Sequence, residues 1–165
     1  MKILGVDPGL ATVGYAVLEV QGNNYSLCAC DTITTSAERE DVKRLDLIYQ
    51  KLKKIIEDHE PEQMAVEELF FNKNVKTAIR VGQARGVILL CGSGENIDVA
   101  EYTPLQVKQA VVGYGRARKR QVQEMVRAML GLEEIIESDD AADAAAVAIC
   151  HAHCYANQEK WGQLL

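Results

Sequence analysis

The stretch Lys2-Ile3-Leu4-Gly5-Val6-Asp7-Pro8-Gly9 opens the chain with an apolar run, an acid and a turn. Apolar runs of this length bounded by Pro-Gly are typical of buried strands. A second run, Gln63-Met64-Ala65-Val66-Glu67, has the same form and also ends in an acid. Both acids are therefore predicted at the ends of buried strands, where an isolated charge would be costly to keep.

The rest of the chain alternates between strand and helix patterns. Short turns separate the first three predicted strands, so these should pair in antiparallel fashion. A helical repeat of apolar residues then leads to the strand that ends at Glu67, and this strand-helix-strand order predicts parallel pairing. The predicted strands cover residues 2–7, 13–20, 25–35, 64–67 and 97–102, and the predicted helices cover 45–56 and 74–90 and begin near Pro104, Arg118 and Ser138.

This order predicts an α/β architecture, in which three antiparallel and then two parallel strands form a five-stranded mixed sheet flanked by helices. It is the order of the ribonuclease H-like fold. The 165 residues suit one domain, since domains commonly have roughly 100 to 150 residues. We predict that this domain covers residues 1–157 and that residues 158–165 form a short C-terminal tail.

Two further acids begin an alanine-rich stretch, Asp140-Ala141-Ala142-Asp143-Ala144. Residues three apart lie on one face of a helix, so Asp140 and Asp143 should point the same way. An alternative is that both acids merely stabilise the helix start through its dipole. Together with the two strand-end acids they predict a site for hard cations, chiefly Mg²⁺ or Mn²⁺, because carboxylate oxygens suit these ions.

Charge is unevenly distributed along the chain. The net charge is −6, yet residues 70–130 have ten basic and four acidic residues and a net of +6. The rest of the chain has eight basic and twenty acidic residues and a net of −12. A basic region beside an acidic metal site is typical of a nuclease, because phosphate binding depends on Lys and Arg.

The apolar runs also bear on location. None approaches the roughly 20 residues that a membrane helix needs, and Asp7 ends the first run too early for a signal peptide. These patterns predict a cytoplasmic protein that does not enter a membrane.

Several ordered motifs resemble those of the RuvC family of bacterial Holliday-junction resolvases. They are Gly5-Val6-Asp7-Pro8-Gly9, Val66-Glu67-Glu68-Leu69-Phe70, Gly82-Gln83-Ala84-Arg85-Gly86, Val107-Lys108-Gln109-Ala110-Val111-Val112-Gly113 and Asp140-Ala141-Ala142-Asp143-Ala144. They span nearly the whole chain. The resemblance implies an endodeoxyribonuclease that resolves four-way DNA junctions by paired symmetrical nicks, in homologous recombination and DNA repair, and leaves 5′-phosphate ends.

By the same resemblance, Asp7, Glu67, Asp140 and Asp143 are catalytic acids that hold two Mg²⁺ ions, with Mn²⁺ as a substitute. Their neighbours are alternatives at each position. Glu68 follows Glu67, and strand alternation sends the two side chains to opposite faces, so that one of them reaches the site. The family motif favours Glu67, and the Asp-Ala-Ala-Asp spacing favours Asp140 over Asp139.

Candidate DNA-binding residues follow the catalytic strand and recur near residue 116. The position of Phe70 predicts base stacking, and the resemblance implies that the stacked bases are unpaired. Core packing is the alternative for Phe70 and for Phe71. The resemblance implies DNA contacts for Lys108 and Lys119. The other basic candidates are either backbone contacts or solvated charges. These are Lys73, Lys76, Arg80, Arg116, Arg118 and Arg120.

The resemblance also implies partners. Ala78, Gly82 and Gly86 form a small-residue stripe on the long predicted helix, which either packs within the chain or forms a homodimer. A two-fold dimer would place two active sites on a four-way junction of matching symmetry. Cooperation with the RuvA and RuvB branch-migration proteins is implied by the family alone.

Three other functions share parts of this pattern. The Asp7-Pro8-Gly9 turn also resembles the phosphate hairpin of actin-like ATPases, but those enzymes need two lobes. A YqgF-like nuclease acting on RNA is the nearer alternative. A junction-binding protein without activity is the third, and the intact set of four acids argues against it.

Overall fold

The computed structural model describes residues 1–69 and 75–162, without the side chains of residues 75, 76 and 156–162. Its strands are β1 (Lys2–Asp7), β2 (Thr12–Gln21), β3 (Asn24–Thr34), β4 (Gln63–Glu67) and β5 (Asp98–Tyr102). Its helices are α1 (Asp41–His59), α2 (Val75–Gly94), α3 (Pro104–Val112), α4 (Lys119–Met129) and α5 (Asp139–Gly162).

The strands form one sheet in the order β3-β2-β1-β4-β5. β2 is antiparallel to both β1 and β3, whereas β4 is parallel to both β1 and β5. The predicted mixed sheet is therefore confirmed. Because β1 and β4 are parallel neighbours with Val6 opposite Val66, the acids that follow these two residues emerge side by side.

Helices cover both faces of the sheet, as its alternating side chains require. Leu4 and Val6 of β1 lie in a core with residues of α1 and α2, including Ile48 and Ile88. Ile3 lies in the opposite core, which contains residues of α3, α4 and α5. Asp7 follows the register of Ile3 and therefore faces α5.

Two glycines let α5 lie directly on the sheet. A Cβ atom on Gly5 would come within 2.1 Å of the Ala144 carbonyl oxygen, and one on Gly14 within 1.9 Å of the Asp140 carbonyl oxygen. Any side chain at either position would force the helix away. The start of α5 is thus held against β1 and β2, and its acids with it.

Local signals set several of the element ends. Thr103 caps α3, since its hydroxyl oxygen accepts from the Gln106 N–H while the Gln106 side chain accepts from the Thr103 N–H. α1 ends where Glu60 takes a left-handed φ of 50°, just before the proline that was predicted to stop it.

The bounds of α1 and α5 can be compared with the predicted start of the first helix and the predicted start of the C-terminal tail. α1 begins at Asp41, one turn before the first apolar repeat residue. The division between the domain and a tail at residue 158 stays a prediction, and α5 is described as far as Gly162. Within the described residues, every helix is too short or too polar to cross a membrane.

Candidate active site

The first half of the site lies at the carboxyl ends of β1 and β4. Asp7 and Glu67 end these neighbouring strands on the face covered by α5, and their side chains share a hydrogen bond. Two carboxyl groups can bond in this way when one of them keeps its proton. The two strand-end acids that the sequence singled out are therefore in direct contact.

The second half of the site comes from the first turn of α5. Gly14 is the residue opposite Asp7 in the β1–β2 pairing, and the Asp140 carbonyl oxygen lies against Gly14. Asp140 and Asp143 both lie close enough to Asp7 for their charges to act on it. The structure thus brings together Asp7, Glu67, Asp140 and Asp143, which we call the acid cluster.

Burial and mutual repulsion disfavour the charged forms of these acids. Burial raises the pKa of Asp7 from 3.8 to about 8, and the charges of Glu67, Asp143 and Asp140 add to the effect. Burial also raises the pKa of Glu67 to about 7, helped by the charge of Asp143. The pKa of Asp143 is raised as well, again mainly by burial. Without cations, the acid cluster therefore holds protons near neutral pH.

One lysine reaches into the acid cluster. Lys119, at the start of α4, places its Nζ 3.1 Å from an Asp143 carboxylate oxygen and 3.2 Å from an Asp139 oxygen. Lys108 on α3 is also near, because its charge lowers the pKa of Glu67. These two cations partly offset the acids, and both stand at positions predicted to bind DNA.

The donor set suits a hard divalent cation. It consists of carboxylates, which repel one another and which only a few positive charges offset. In the described part of the chain, no three or more His, Cys, Asp or Glu side chains are arranged to hold an ion as they stand. The Asp7–Glu67 bond and the Lys119–Asp143 pair occupy oxygens that a metal ion would need. The residues fit the metal chemically, and metal entry requires both contacts to rearrange.

The neighbouring acids are placed differently from the cluster. Glu68 lies beyond the end of β4, where its N–H donates to the Tyr102 carbonyl oxygen. Asp139 is 63% exposed and pairs with Lys119, and its other oxygen accepts from Gln123 Nε2 at 2.8 Å. The structure brings Glu67 rather than Glu68 to Asp7, while Asp139 lies at the rim.

The described residues include only some of the DNA-binding candidates. Phe70, Phe71 and Lys73 lie outside them, as does the side chain of Lys76, so their predicted roles stay predictions.

The remaining basic candidates pair with other acids or are exposed. Arg80 is bonded to Asp41 of α1. Arg116 and Arg118 are exposed beside the start of α4. Arg120 is 75% exposed and pairs with Glu124 within α4. The structure thus brings Lys108 and Lys119, but not Arg120, to the acid cluster.

Sequence reasoning did not identify two features of this region. The roles of Gly5 and Gly14 had an available signal, because glycine inside a predicted strand often marks a close backbone approach. Arg44 is buried near the site, yet in sequence it is one basic residue of a polar helix. Its role depends on contacts that only the fold creates.

Comparison with known proteins places these features in a family. The family model described as "Crossover junction endodeoxyribonuclease RuvC" matches residues 3–151. A protein of that name from Halothermothrix orenii is 60% identical over 162 residues, which cover 98% of both chains. Among solved structures, Thermus thermophilus RuvC has a TM-score of 0.89 at 35% identity and covers 96% of this chain and 97% of its own. The same organism's RuvC in complex with a Holliday junction substrate has a TM-score of 0.87 at 33% identity, with 96% of each chain covered.

Proposed function

The chain belongs to the RuvC family, and on that premise we propose that it is a crossover junction endodeoxyribonuclease. It would cut four-way DNA junctions by paired, symmetrical hydrolysis of phosphodiester bonds, leaving 5′-phosphate ends. Such an enzyme acts in homologous recombination and DNA repair, and we propose that it is located in the cytoplasm.

The observation that carries this proposal is the acid cluster. Four carboxylates from β1, β4 and α5 meet in one place, and burial raises the pKa values of Asp7, Glu67 and Asp143. A fold does not need this arrangement for stability, because buried like charges destabilise it. Buried groups with strongly raised pKa values concentrate at functional sites. The proposal assigns Asp7, Glu67, Asp140 and Asp143 as catalytic residues.

Family membership implies dependence on a divalent metal, and we propose Mg²⁺, with two ions per subunit and Mn²⁺ as a substitute. When bound, such ions activate the attacking water and stabilise the leaving oxygen of an in-line displacement. Asp7 and Glu67 would hold them from the strand ends, and Asp140 and Asp143 from α5. Asp7 must first lose the proton that it shares with Glu67.

Lys119 and Lys108 would then contact DNA phosphates. Each lies within electrostatic reach of the acids, so each can also face a phosphate held over the acid cluster. Lys119 is half exposed and can turn from Asp143 to the DNA backbone. A cation beside the reacting phosphate offsets the charge that develops there.

We also propose a two-fold dimer through α2. Ile79 and Leu90 of this helix are 58% and 66% exposed, although both are large and apolar. Between them, a Cβ on Gly82 or Gly86 would meet nothing within 4 Å. An exposed apolar helix face with small residues between the large ones suits close contact with a second copy. RuvA and RuvB are proposed as partners on family membership alone.

A cleavage assay tests the function. Purified protein is given a four-way DNA junction, a plain duplex of the same sequence and single-stranded RNA, each with Mg²⁺ or with EDTA. We expect paired nicks in the junction only, and only with Mg²⁺. Cleavage of the RNA instead would favour a YqgF-like nuclease, and binding of the junction without any cleavage would favour a non-catalytic junction-binding protein.

Sedimentation velocity tests the dimer. Replacing Ile79 or Leu90 by Glu should give a monomer, because a charge would be buried in the interface. Leu105→Glu, on exposed Leu105 of α3, is the matched control and should leave the dimer intact. A monomeric wild-type protein at micromolar concentration would contradict the proposed assembly.

A further inference from the structure

A cavity of about 380 Å³ opens beside the acid cluster, between the β1–β2 turn and the helices α1 and α2. Asp140 is the member of the acid cluster that lines it, so the cavity continues from the proposed active site. Two of its walls are cationic, namely Arg44 of α1 and Arg80 of α2. None of the proposed catalytic steps uses these arginines.

Arg44 is a fixed part of the cavity wall. Its side chain is 6% exposed, and its Nε donates to the Thr35 hydroxyl oxygen at 2.8 Å. That hydroxyl in turn donates to the Leu10 carbonyl oxygen at 2.5 Å. The arginine is thus bonded, through one threonine, to the turn that follows the catalytic strand β1. A buried cation is costly unless it is satisfied in this way.

Arg80 is held by an exchangeable partner. Its Nε and Nη2 donate to the two carboxylate oxygens of Asp41, at 2.8 and 3.1 Å. Arg44 Nη1 lies 3.5 Å from the same carboxylate. Two arginines therefore share one acid, which leaves one positive charge on this wall. The Arg80 side chain is 56% exposed. Ion pairs with this degree of exposure contribute little to stability.

We propose that the cavity binds a DNA phosphate directly next to the scissile one, with Arg80 exchanging Asp41 for that phosphodiester. The forked guanidinium that grips a carboxylate in two places grips a phosphate in the same way. Arg44 remains in place and supplies the fixed charge. This inference rests on the proposed function, and it adds a second anchoring point for the cleaved strand.

The anchor bears on where the strand is cut. Because Asp140 lines the cavity, a strand whose scissile phosphate lies at the acid cluster would meet the cavity on one side. A phosphate contact there carries no base information, but it holds the strand in register with the catalytic acids. Arg80 is accordingly a positioning residue for incision, and Asp41 is the group that occupies it in the absence of DNA.

The test measures junction binding by fluorescence anisotropy with Mg²⁺ in an Asp7→Asn background, so that the DNA stays uncut. Losing one phosphate contact lowers the slope of log affinity against log salt by about 0.9. Between 50 and 200 mM salt, the Arg80→Gln variant should therefore lose about threefold less affinity than its parent. Arg80→Lys should keep most of the parental slope, because it keeps the charge.

Asp41→Asn provides the reciprocal measurement. It removes the competing anion, so it should tighten junction binding, and most of the gain should be lost when Arg80→Gln is also present, since only the Arg44 charge is then freed. Lys54→Gln is the matched control, since Lys54 is an exposed lysine of α1 paired to Asp58. If Arg80→Gln behaves like Lys54→Gln, or if Asp41→Asn tightens binding equally without Arg80, the subsite is wrong.

Neutral phosphates locate the contact. Once wild-type cleavage has identified the cut, a methylphosphonate is placed at the phosphate on either side of it. At one of the two positions it should weaken binding of the parent but not of the Arg80→Gln variant. Equal effects in both proteins at both positions would overturn the proposal. The proposed function fails separately, when the wild-type protein does not cut junctions at all.

Discussion

The acid cluster and the Asp41–Arg44–Arg80 group lie on either side of the β1–β2 turn, and their net charges are opposite in sign. In the second group, one carboxylate is shared by two arginines, at 2.8 to 3.5 Å. In the acid cluster, four carboxylates have Lys119 in contact and Lys108 nearby. The arginine group keeps one positive charge, which can hold an anion, whereas the acid cluster keeps an excess of negative charge until cations are added. The difference identifies which of the two groups performs chemistry.

The largest expected effect separates chemistry from binding. Asp7→Asn keeps the shape of the side chain but removes a metal-binding charge, and we expect it to slow junction cleavage about a thousandfold or more. Binding should survive, because the basic residues remain. Single-turnover cleavage and anisotropy on the same junction measure the two quantities.

Asp58→Asn, at an exposed acid of α1 paired to Lys54, is the matched control, and it should leave the cleavage rate within a few-fold of the wild type. A folded Asp7→Asn protein that no longer bound junctions would contradict this division between acids that cut and cations that bind. Circular dichroism establishes that both variants are folded.

The close packing of α5 on the sheet gives the next largest effect. Gly14→Ala places a methyl group 1.9 Å from the Asp140 carbonyl oxygen, and overpacking of this kind costs about 1 to 3 kcal/mol. The start of α5 must shift, so cleavage should fall as well. Urea denaturation measures the free energy of unfolding.

Gly94→Ala is the control for that substitution, since a Cβ on Gly94 would meet nothing within 4 Å. It should change the free energy of unfolding by about 1 kcal/mol or less. Equal stability of the two variants would mean that α5 does not rest on Gly14 as closely as described.

Parts of this comparison could be predicted from the sequence and parts could not. The strand-end acids were predictable, because an acid that closes an apolar run is a local pattern, and parallel neighbours bring two such ends together. The mixed sheet was predictable for the same reason, from turns and periodicity. The family motifs then selected Glu67 and Asp140 from among their neighbours.

The contacts between distant segments could not be predicted in this way. Lys119 touches Asp143 only because α4 and α5 pack together, and nothing in the basic run around Lys119 distinguishes it physically from Arg120. The Asp41–Arg44–Arg80 group and its partner Thr35 come from three separate segments of the chain. Such contacts depend on tertiary structure, for which residue spacing carries no signal.

The pH dependence of stability reports on the acid cluster. The pKa of Asp7 is raised from 3.8 to about 8 by burial and by its acidic neighbours, so the folded state keeps a proton that the unfolded state has lost. Metal-free stability should therefore fall as pH rises from about 4 to about 8 and level off above that. Asp7→Asn should remove part of this fall, on the order of 1 to 3 kcal/mol at pH 8.

The measurement is urea denaturation in EDTA at pH 5.5 and 8.5, repeated with Mg²⁺. Added Mg²⁺ should stabilise the wild type more than the Asp7→Asn variant at the higher pH. Asp58→Asn, at an exposed acid paired to Lys54, should keep the wild-type dependence. A wild-type protein whose metal-free stability rises over this range would contradict the protonated acid cluster.

The smallest expected effect concerns Lys119, the residue of α4 that pairs with Asp143 of the acid cluster. Its Nζ lies 3.1 Å from Asp143, so it both competes with a metal ion and repels it, and both effects weaken metal binding. Lys119→Gln should therefore tighten Mn²⁺ binding in the absence of DNA by about two- to fivefold, since a half-exposed pair is worth less than about 1 kcal/mol. Titration followed by electron paramagnetic resonance measures free Mn²⁺ directly, with Lys54→Gln as the control. Weaker binding in Lys119→Gln would mean that this lysine organises the acids instead of competing for them.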